Sequence, residues 1–193
     1  MTDETVPPPK LRGHSPALAV ALVGFMGAGK TSVGRALAQR MGWRFEDLDD
    51  RIQKREGRSI EQIFEQTGES GFRTLESAVL QEILTWQASE PLVLALGGGA
   101  FVREEMQDLL RRAGIPAVFL DAPVEELFRR CDQPGLVRPL RRNPVQFREL
   151  YEQRRPAYMK AFLRIETSGK TVTEVAEEII SELRLVPDSG VTN

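Results

Sequence analysis

The segment Gly24–Thr31 reads GFMGAGKT and matches the glycine-rich pattern G-x-x-x-x-G-K-[ST] without a gap. It lies between an apolar run and a helical pattern, a context in which the loop N–H groups and the helix N-terminus bind phosphate. Lys30 can reach the outer phosphates of a nucleotide, and the Thr31 hydroxyl can bind Mg²⁺. We therefore expect an ATP site formed by Gly27, Ala28, Gly29, Lys30, Thr31 and Ser32.

This loop alone leaves the function open. A small kinase, a regulatory switch that binds ATP and a GTPase can all contain it. The sequence lacks the N-K-x-D motif with which GTPases usually read guanine. The structural alternative, a glycine-rich turn that happens to precede a lysine, is disfavoured by the combination of motif and context.

Asp47 and Asp49 lie two residues apart in the segment FEDLDD. On an extended strand, side chains two apart point to the same side, so that both carboxylates would face the phosphate loop. One carboxylate could bind Mg²⁺ through water, and the other could accept or orient a hydroxyl proton of an acceptor substrate. The alternative is a solvated acidic turn, to which Glu46 and Asp50 would also belong.

Arginines at three places are candidates for anion binding. Arg73 in GFRTLE and Arg154 in EQRRPAY suit a carboxylate, because a guanidinium can form two parallel hydrogen bonds to it. Each of these two, taken singly, is also compatible with a surface or helix-end arginine.

The segment Cys131–Arg148 contains four arginines, three prolines and one acidic residue. We expect it to form a lid without strand or helix that excludes water, with Arg138 on the transferring phosphoryl group; an exposed basic loop is the alternative.

Gly97, Gly98 and Gly99 follow the apolar run LVLAL, where many phosphate-loop proteins carry an aspartate for Mg²⁺. Glycine lets the backbone approach a ligand closely. We expect these glycines to offer N–H groups to the acceptor, with Gly98 as the main contact, while Asp47 serves the metal from a neighbouring strand end. A tight connection after a strand is the alternative.

These residues must be positioned by strands and helices that alternate along the chain. Apolar segments predict strands at 17–26, 43–49, 92–96, 115–121 and 162–167. Helical patterns and capping boxes predict helices at 31–40, from 59, and at 72–87, 102–114, 124–130, 145–161 and 171–183. We expect an α/β fold of three layers, in which helices flank a five-stranded parallel sheet and ligands bind beyond the carboxyl ends of its strands.

Composition restricts the other possibilities. The chain has 193 residues, a net charge of −2 and a pI near 5.7, which argues against a general nucleic-acid surface. With one cysteine, Cys131, and one histidine, His14, we expect neither an internal disulfide nor histidine catalysis. No apolar run approaches the ~20 residues of a membrane span. We expect a disordered leader at 1–16, one domain at 17–185 and a frayed tail at 186–193.

The motifs in their order resemble the shikimate kinase family from about Ala17 to Leu183. The resemblance rests on GFMGAGKTSVGRALA, FEDLDDRI, IFEQTGESGFRTLE, LALGGGA, VRPL and RRPAY. It implies the fold of nucleoside monophosphate kinases, with a substrate-binding helical region at about 50–90 and a mobile lid at about 131–148. The implied reaction is ATP-dependent phosphorylation of the shikimate 3-hydroxyl, a step towards chorismate and the aromatic amino acids, with Mg²⁺ as cofactor.

The resemblance also implies roles in binding the acceptor. Asp49 would contact the shikimate hydroxyls and is the candidate base. Arg73, the Gly98 backbone and Arg154 would hold shikimate, with the two arginines on its carboxylate. Glu76 would steady these arginines.

On the nucleotide side, the resemblance places Asp47 near Mg²⁺ and makes Arg138 the lid arginine that acts with Lys30 in catalysis. Arg130 would neighbour the adenine, and either Lys170 or Thr171 would be a second adenine contact. The expected partners are shikimate and ATP, without nucleic acid or membrane, in a cytoplasmic monomer.

Two rival functions stay open. A gluconate kinase would also bind a carboxylate, so that only the combination of motifs separates it from a shikimate kinase. A non-catalytic regulator would bind ATP without releasing ADP in the presence of shikimate. The chain departs from the family at Arg141, since the family usually has R-P-L-L where this lid has R-P-L-R.

Overall fold

The computed structural model describes residues 18–87, 90–131 and 143–187. Within these ranges the chain forms a five-stranded sheet in the order β2-β3-β1-β4-β5, and neighbouring strands are parallel. The strands are β1 Ala19–Val23, β2 Arg44–Asp47, β3 Leu92–Ala95, β4 Ala117–Asp121 and β5 Leu163–Glu166. The predicted parallel α/β sheet is confirmed.

Helices connect these strands. They are α1 Lys30–Met41, α2 Leu48–Glu56, α3 Ile60–Gln87, α4 Glu104–Arg112, α5 Val124–Cys131, α6 Pro144–Tyr158 and α7 Val172–Leu183. A turn of 3-10 helix, Ala100–Val102, precedes α4, and a non-helical residue, Gly68, divides α3 into two segments. The predicted capping boxes at Ser59 and Thr171 are both present. Over the described ranges, no helix combines the length and the apolar character that crossing a membrane requires.

The three central strands form the middle of the core. Every residue of β1, β3 and β4 is buried, and since successive side chains point to opposite faces, both faces of the sheet are covered. The edge strands β2 and β5 are only partly buried. Full burial of a valine or leucine side chain contributes ~1.5–3 kcal/mol. The central strands therefore firmly anchor the loops that follow them.

The carboxyl ends of β1, β2 and β3 bring the predicted site residues to one edge of the sheet. Ala95 is in register with Leu22 on one side and with Asp47 on the other. The Leu96 N–H continues the pairing by donating to the carbonyl oxygen of Leu22 at 3.0 Å. The phosphate loop, the acidic pair and the three glycines consequently begin side by side.

The predicted end of the second strand is wrong. The strand stops at Asp47, and Asp49 lies in the first turn of α2 rather than on an extended strand. The reason is helix capping: the Asp47 side chain accepts hydrogen bonds from the N–H groups of Asp49 and Asp50. The argument that Asp47 and Asp49 share one face of a strand therefore fails.

Both ends of the predicted lid at 131–148 are helical, which agrees with the helix predicted at 145–161 and not with a lid wholly without helix. Cys131 is the last residue of α5, and α6 begins at Pro144. The Asn143 side chain caps α6 by accepting hydrogen bonds from two N–H groups of its first turn. The middle of the predicted lid, 132–142, lies outside the described residues, as do the predicted leader and positions 188–193 of the predicted tail.

Candidate active site

The phosphate loop joins β1 to α1 in a conformation that depends on glycine. Gly27 has a φ of 81°, and a Cβ at this position would lie 2.5 Å from the carbonyl oxygen of Leu127. Lys30 Nζ donates hydrogen bonds to the carbonyl oxygens of Gly24 at 2.8 Å and Phe25 at 3.0 Å. The ammonium group therefore lies at the loop to which this motif binds phosphate.

A cleft of about 560 Å³ extends from the phosphate loop to the start of α7. It is lined by residues 27–33, Arg130, Thr167, Lys170, Val172 and Val175. Arg130 is held in place by two 3.0 Å hydrogen bonds to Thr167 and by a 2.5 Å ion pair with Glu126. Such a mixture of apolar walls, cationic groups and loop N–H groups suits a nucleotide.

The two alternatives for the second adenine contact occupy different environments. Lys170 lines the cleft and forms a 2.5 Å ion pair with Glu178. Thr171 is the N-cap residue of α7, and its side chain accepts from the N–H of Glu174. This arrangement favours Lys170. Thr167 was not predicted, although its place directly after β5, at the carboxyl edge of the sheet, is a signal that could have found it.

The two predicted metal ligands, Thr31 and Asp47, are in direct contact. Thr31 Oγ1 donates to Asp47 Oδ2 at 2.8 Å. The other carboxylate oxygen caps α2 by accepting from the Asp49 N–H at 3.1 Å. Mg²⁺ prefers oxygen ligands and is usually bound by one or two protein groups together with waters and substrate phosphates. The hydroxyl–carboxylate pair beside the phosphate loop fits this requirement.

The Asp49 carboxyl group lies beside this pair and has a raised proton affinity. Burial, with the negative charge of Asp47 as the next largest cause, raises the pKa of Asp49 from 3.8 to about 6, against the opposing charge of Lys30. A carboxylate whose pKa lies near the working pH is suited to accepting a proton. The environment of Asp49 is therefore compatible with a general base.

The triple glycine, residues 97–99, is the place where the remaining candidates converge. A Cβ at the first glycine would lie 2.6 Å from Asp49 Oδ1, and one at the third would lie 2.8 Å from Arg73 Nη2. A Cβ at the second would lie 3.7 Å from Arg154 Nη1. Each glycine thus faces a different predicted acceptor-binding residue, and larger side chains at the first and third positions would displace those groups.

Arg73 is oriented by a buried carboxylate. Its Nη1 lies 3.0 Å from Glu76 Oε2, and Nη2 of Arg103 lies 3.5 Å from the same oxygen. Glu76 is only 1% exposed. Arg103 Nη2 also donates to Ser77 Oγ at 2.8 Å. The predicted contact of Glu76 with Arg73 is present, whereas Arg103 was not predicted. Two guanidinium groups share this one buried carboxylate, and each also pairs with a more exposed one, Arg73 with Glu69 at 3.4 Å and Arg103 with Glu105 at 3.3 Å.

Arg154 reaches the triple glycine from α6. Its guanidinium carbon lies 5.9 Å from the centre of the Phe25 ring in the phosphate loop, a cation–π contact. One helical turn later, the Tyr158 hydroxyl donates a hydrogen bond to the carbonyl oxygen of Gly98. Tyr158 belongs to the segment RRPAY but was not predicted to have a role. Its spacing of four residues from Arg154 was the available signal.

A buried aspartate fastens α6 to the sheet. Asp121, at the end of β4, accepts hydrogen bonds from the Tyr151 hydroxyl at 3.1 Å, Arg155 Nη2 at 2.9 Å and Arg164 Nε at 2.9 Å. Removing one partner of such a buried network is costly because the remaining charge stays desolvated. The network therefore fixes the position of the helix that carries Arg154.

The structure brings together Lys30, Thr31, Asp47, Asp49, Arg73, Gly97–Gly99 and Arg154 at one edge of the sheet, next to the nucleotide cleft. Arg138 and Arg141 lie outside the described residues. The predicted contact of Arg138 with the phosphoryl group therefore stays a prediction.

Known proteins are similar to this chain in sequence and in fold. A family model for shikimate kinase matches residues 26–184. A shikimate kinase of Thermus thermophilus is 42% identical over 177 residues, which covers 90% of this chain and 94% of that protein. A solved structure of shikimate kinase from Acinetobacter baumannii in complex with shikimate is 36% identical, with a TM-score of 0.76 and coverage of 86% of this chain and 92% of that one.

A more distant structure bears on the rival function. A gluconokinase from Sinorhizobium meliloti has a TM-score of 0.58 with 19% identity and covers 88% of this chain and 92% of its own. At this identity the likeness shows a common fold alone.

Proposed function

The chain belongs to the shikimate kinase family, and from this premise we propose that it transfers the γ-phosphoryl group of ATP to the 3-hydroxyl of shikimate. The triple glycine carries the proposal, because Asp49, Arg73 and Arg154 converge on it. The N–H nitrogen of Met26, in the phosphate loop, would lie 3.9 Å from a Cβ at Gly98. An acceptor at the triple glycine would therefore lie beside the phosphates.

The acceptor is bound through its carboxylate. Arg73 and Arg154 approach the triple glycine on separate elements, α3 and α6, and both can donate paired hydrogen bonds to a carboxylate. Glu76, which also contacts Arg103, holds Arg73 from behind. With its carboxylate held in this way, shikimate presents its hydroxyl groups to Asp49.

Asp49 orients the acceptor hydroxyl and accepts its proton as the oxygen attacks the γ-phosphorus. The new P–O bond forms as the bond to the β-phosphate oxygen breaks, and ADP leaves with that electron pair. In such a transfer, most of the acceleration comes from positioning and from electrostatic stabilisation. The raised pKa of Asp49 suits this role, since the proton is accepted and later released near neutral pH.

The nucleotide is bound by the loop N–H groups and by Lys30. Thr31 and Asp47 would hold Mg²⁺, which supplies charge neutralisation between the phosphates when bound. Arg130 and Lys170 line the part of the cleft farther along the nucleotide. Arg138, in the predicted lid, would add positive charge at the transferring group.

A coupled assay of ADP release tests the proposal, with shikimate, gluconate and no acceptor compared at the same concentration of MgATP. We expect rapid release with shikimate and slow release in the other two reactions. Faster release with gluconate would favour the rival kinase. ATP binding without acceptor-dependent release would favour the non-catalytic regulator.

We further propose that the enzyme acts as a cytoplasmic monomer, as the resemblance implies. Size-exclusion chromatography with light scattering would measure a mass near 21.6 kDa for a monomer. A stable mass of twice that value would contradict the monomer.

A further inference from the structure

Tyr158, the last residue of α6, is a buried side chain with a polar group directed at the triple glycine. It is 0% exposed, and its ring stacks on Phe119 with ring centres 5.3 Å apart. Its hydroxyl donates a hydrogen bond to the carbonyl oxygen of Gly98, 60 residues earlier in the chain. A buried tyrosine hydroxyl normally requires such a partner. Here the partner belongs to the proposed acceptor site.

The same hydroxyl adjoins Arg154. Residues four apart on a helix lie on the same face, so α6 presents both side chains to the glycines. Burial raises the pKa of Tyr158 to about 12, while the positive charge of Arg154 acts in the opposite direction. The hydroxyl is therefore protonated near neutral pH. It donates to the Gly98 carbonyl oxygen, and Arg154 Nη1 lies near the same glycine, 3.7 Å from the position of a Cβ there.

Three consecutive glycines have little steric reason to keep one backbone conformation. The Gly98 carbonyl and the Gly99 N–H belong to one planar trans peptide, in which the two groups point in opposite directions. A hydrogen bond that holds the carbonyl therefore also fixes the direction of the N–H. Tyr158 restrains the part of the loop that lacks side chains of its own.

We propose that Tyr158 is a positioning residue for the acceptor: its hydroxyl holds the Gly98 peptide, beside the Arg154 guanidinium, in the one orientation that fits the acceptor. The inference rests on the proposed function and deepens it. It predicts an effect on the acceptor that is separate from ATP binding, since the nucleotide cleft is lined by other residues.

Tyr158→Phe removes only the hydroxyl. We expect the KM for shikimate to rise about tenfold, which corresponds to about 1.4 kcal/mol, while the KM for ATP stays within about twofold. Tyr151→Phe is the matched control, because it removes another buried hydroxyl from the same helix, one that contacts Asp121 and Ala122 instead of the glycines. We expect it to lower the unfolding temperature but, because Asp121 keeps its two arginine donors, to raise the KM for shikimate much less than Tyr158→Phe does.

The outcomes separate this inference from the proposed function. If the unaltered enzyme releases no ADP with shikimate, the proposed function fails. If it is active and Tyr158→Phe has an unchanged KM for shikimate, only the positioning role fails. Equal rises of that KM in both variants would indicate general loosening of α6 and would also overturn the positioning role.

A spectroscopic measurement does not depend on the folding of Tyr158→Phe. The chain has two tyrosines, so that 3-fluorotyrosine labelling yields two fluorine resonances, which Tyr151→Phe assigns. Addition of shikimate without ATP should move the Tyr158 resonance and leave that of Tyr151 in place. If calorimetry detects shikimate binding but the Tyr158 resonance does not move, the inference is wrong.

Discussion

The protonation of Asp49 determines whether the proposed base can act. Its pKa of about 6 lies close to neutral pH. We expect kcat/KM for shikimate to fall about tenfold for each pH unit below about 6, because the protonated carboxyl cannot accept the hydroxyl proton. A pH profile at saturating ATP measures this. Asp50→Asn removes a neighbouring charge that raises the pKa of Asp49 and should move the acidic limb slightly lower. A profile flat down to about pH 5 would exclude Asp49 as the base.

The same carboxylate should cost stability. The folded-state pKa of Asp49, about 6, is above its ordinary 3.8, so the folded state binds the proton more tightly and stability falls as pH rises between these values. At pH 7.5 we expect Asp49→Asn to raise the free energy of unfolding by about 3 kcal/mol. This gain in stability should shrink as the pH falls towards about 4. At every pH, the Asp49→Asn variant should bind ATP but lose most of its turnover. Urea unfolding at both pH values measures the difference, and an equal gain at both would refute the linkage.

Gly98 is the position in the triple glycine where an added methyl group should affect ligand binding without disturbing the fold. A Cβ there would meet its nearest atoms at 3.7 to 3.9 Å, which is ordinary contact. We expect Gly98→Ala to fold normally, to raise the KM for shikimate about tenfold or more, and to leave the KM for ATP within about twofold. Gly29→Ala, in the phosphate loop at a φ of 89°, is the counterpart that should impair ATP binding. Equal losses for both ligands in Gly98→Ala would contradict an acceptor contact.

The helices and strands that are marked by a local sequence pattern could be predicted from the sequence. The capping boxes at Ser59 and Thr171 and the apolar runs of the central strands were identified correctly. The end of β2 was not, because the run WRFEDLD was interpreted as a single strand, while Asp47 in fact caps a helix. The segment could continue as a strand or begin a helix, and the hydrogen bonds from the Asp49 and Asp50 N–H groups to the Asp47 side chain favour the helix.

The break in α3 is a feature of the element that carries Arg73. Gly68 has φ 67° and ψ −177°, a region open essentially to glycine alone, and among the described residues a Cβ there would meet nothing within 4 Å. We expect Gly68→Ala to destabilise the protein by ~1–3 kcal/mol through backbone strain alone. Gly57→Ala, where φ is 65° and ψ is 19°, is a milder control at about 1 kcal/mol. Urea unfolding compares them, and a Gly68→Ala protein as stable as the unaltered one would show that the break is not required.

At the scale of the whole molecule, the site depends on topology. Lys30, Asp49 and Gly98 are far apart in the chain, yet they follow three strands that are neighbours in the sheet. This convergence could be predicted, because parallel strands bring their carboxyl ends to one edge. The contact of Tyr158 with Gly98 and the sharing of Glu76 by two arginines could not, since they depend on how α6 and α3 pack against that edge.

Arg138, the lid residue proposed to act at this site, lies outside the described residues. Arg138 precedes Pro139 in the motif VRPL, whereas Arg141 lies where the family usually has leucine. If Arg138 stabilises charge on the transferring phosphoryl group, Arg138→Ala should lower kcat about 100-fold or more and leave the KM for shikimate within about threefold. Arg141→Ala removes the same charge three residues away and should change kcat by less than about threefold. Steady-state kinetics of both variants distinguish a specific contact of Arg138 from a general effect of positive charge in the lid. Similar losses of kcat in the two variants would contradict the specific contact.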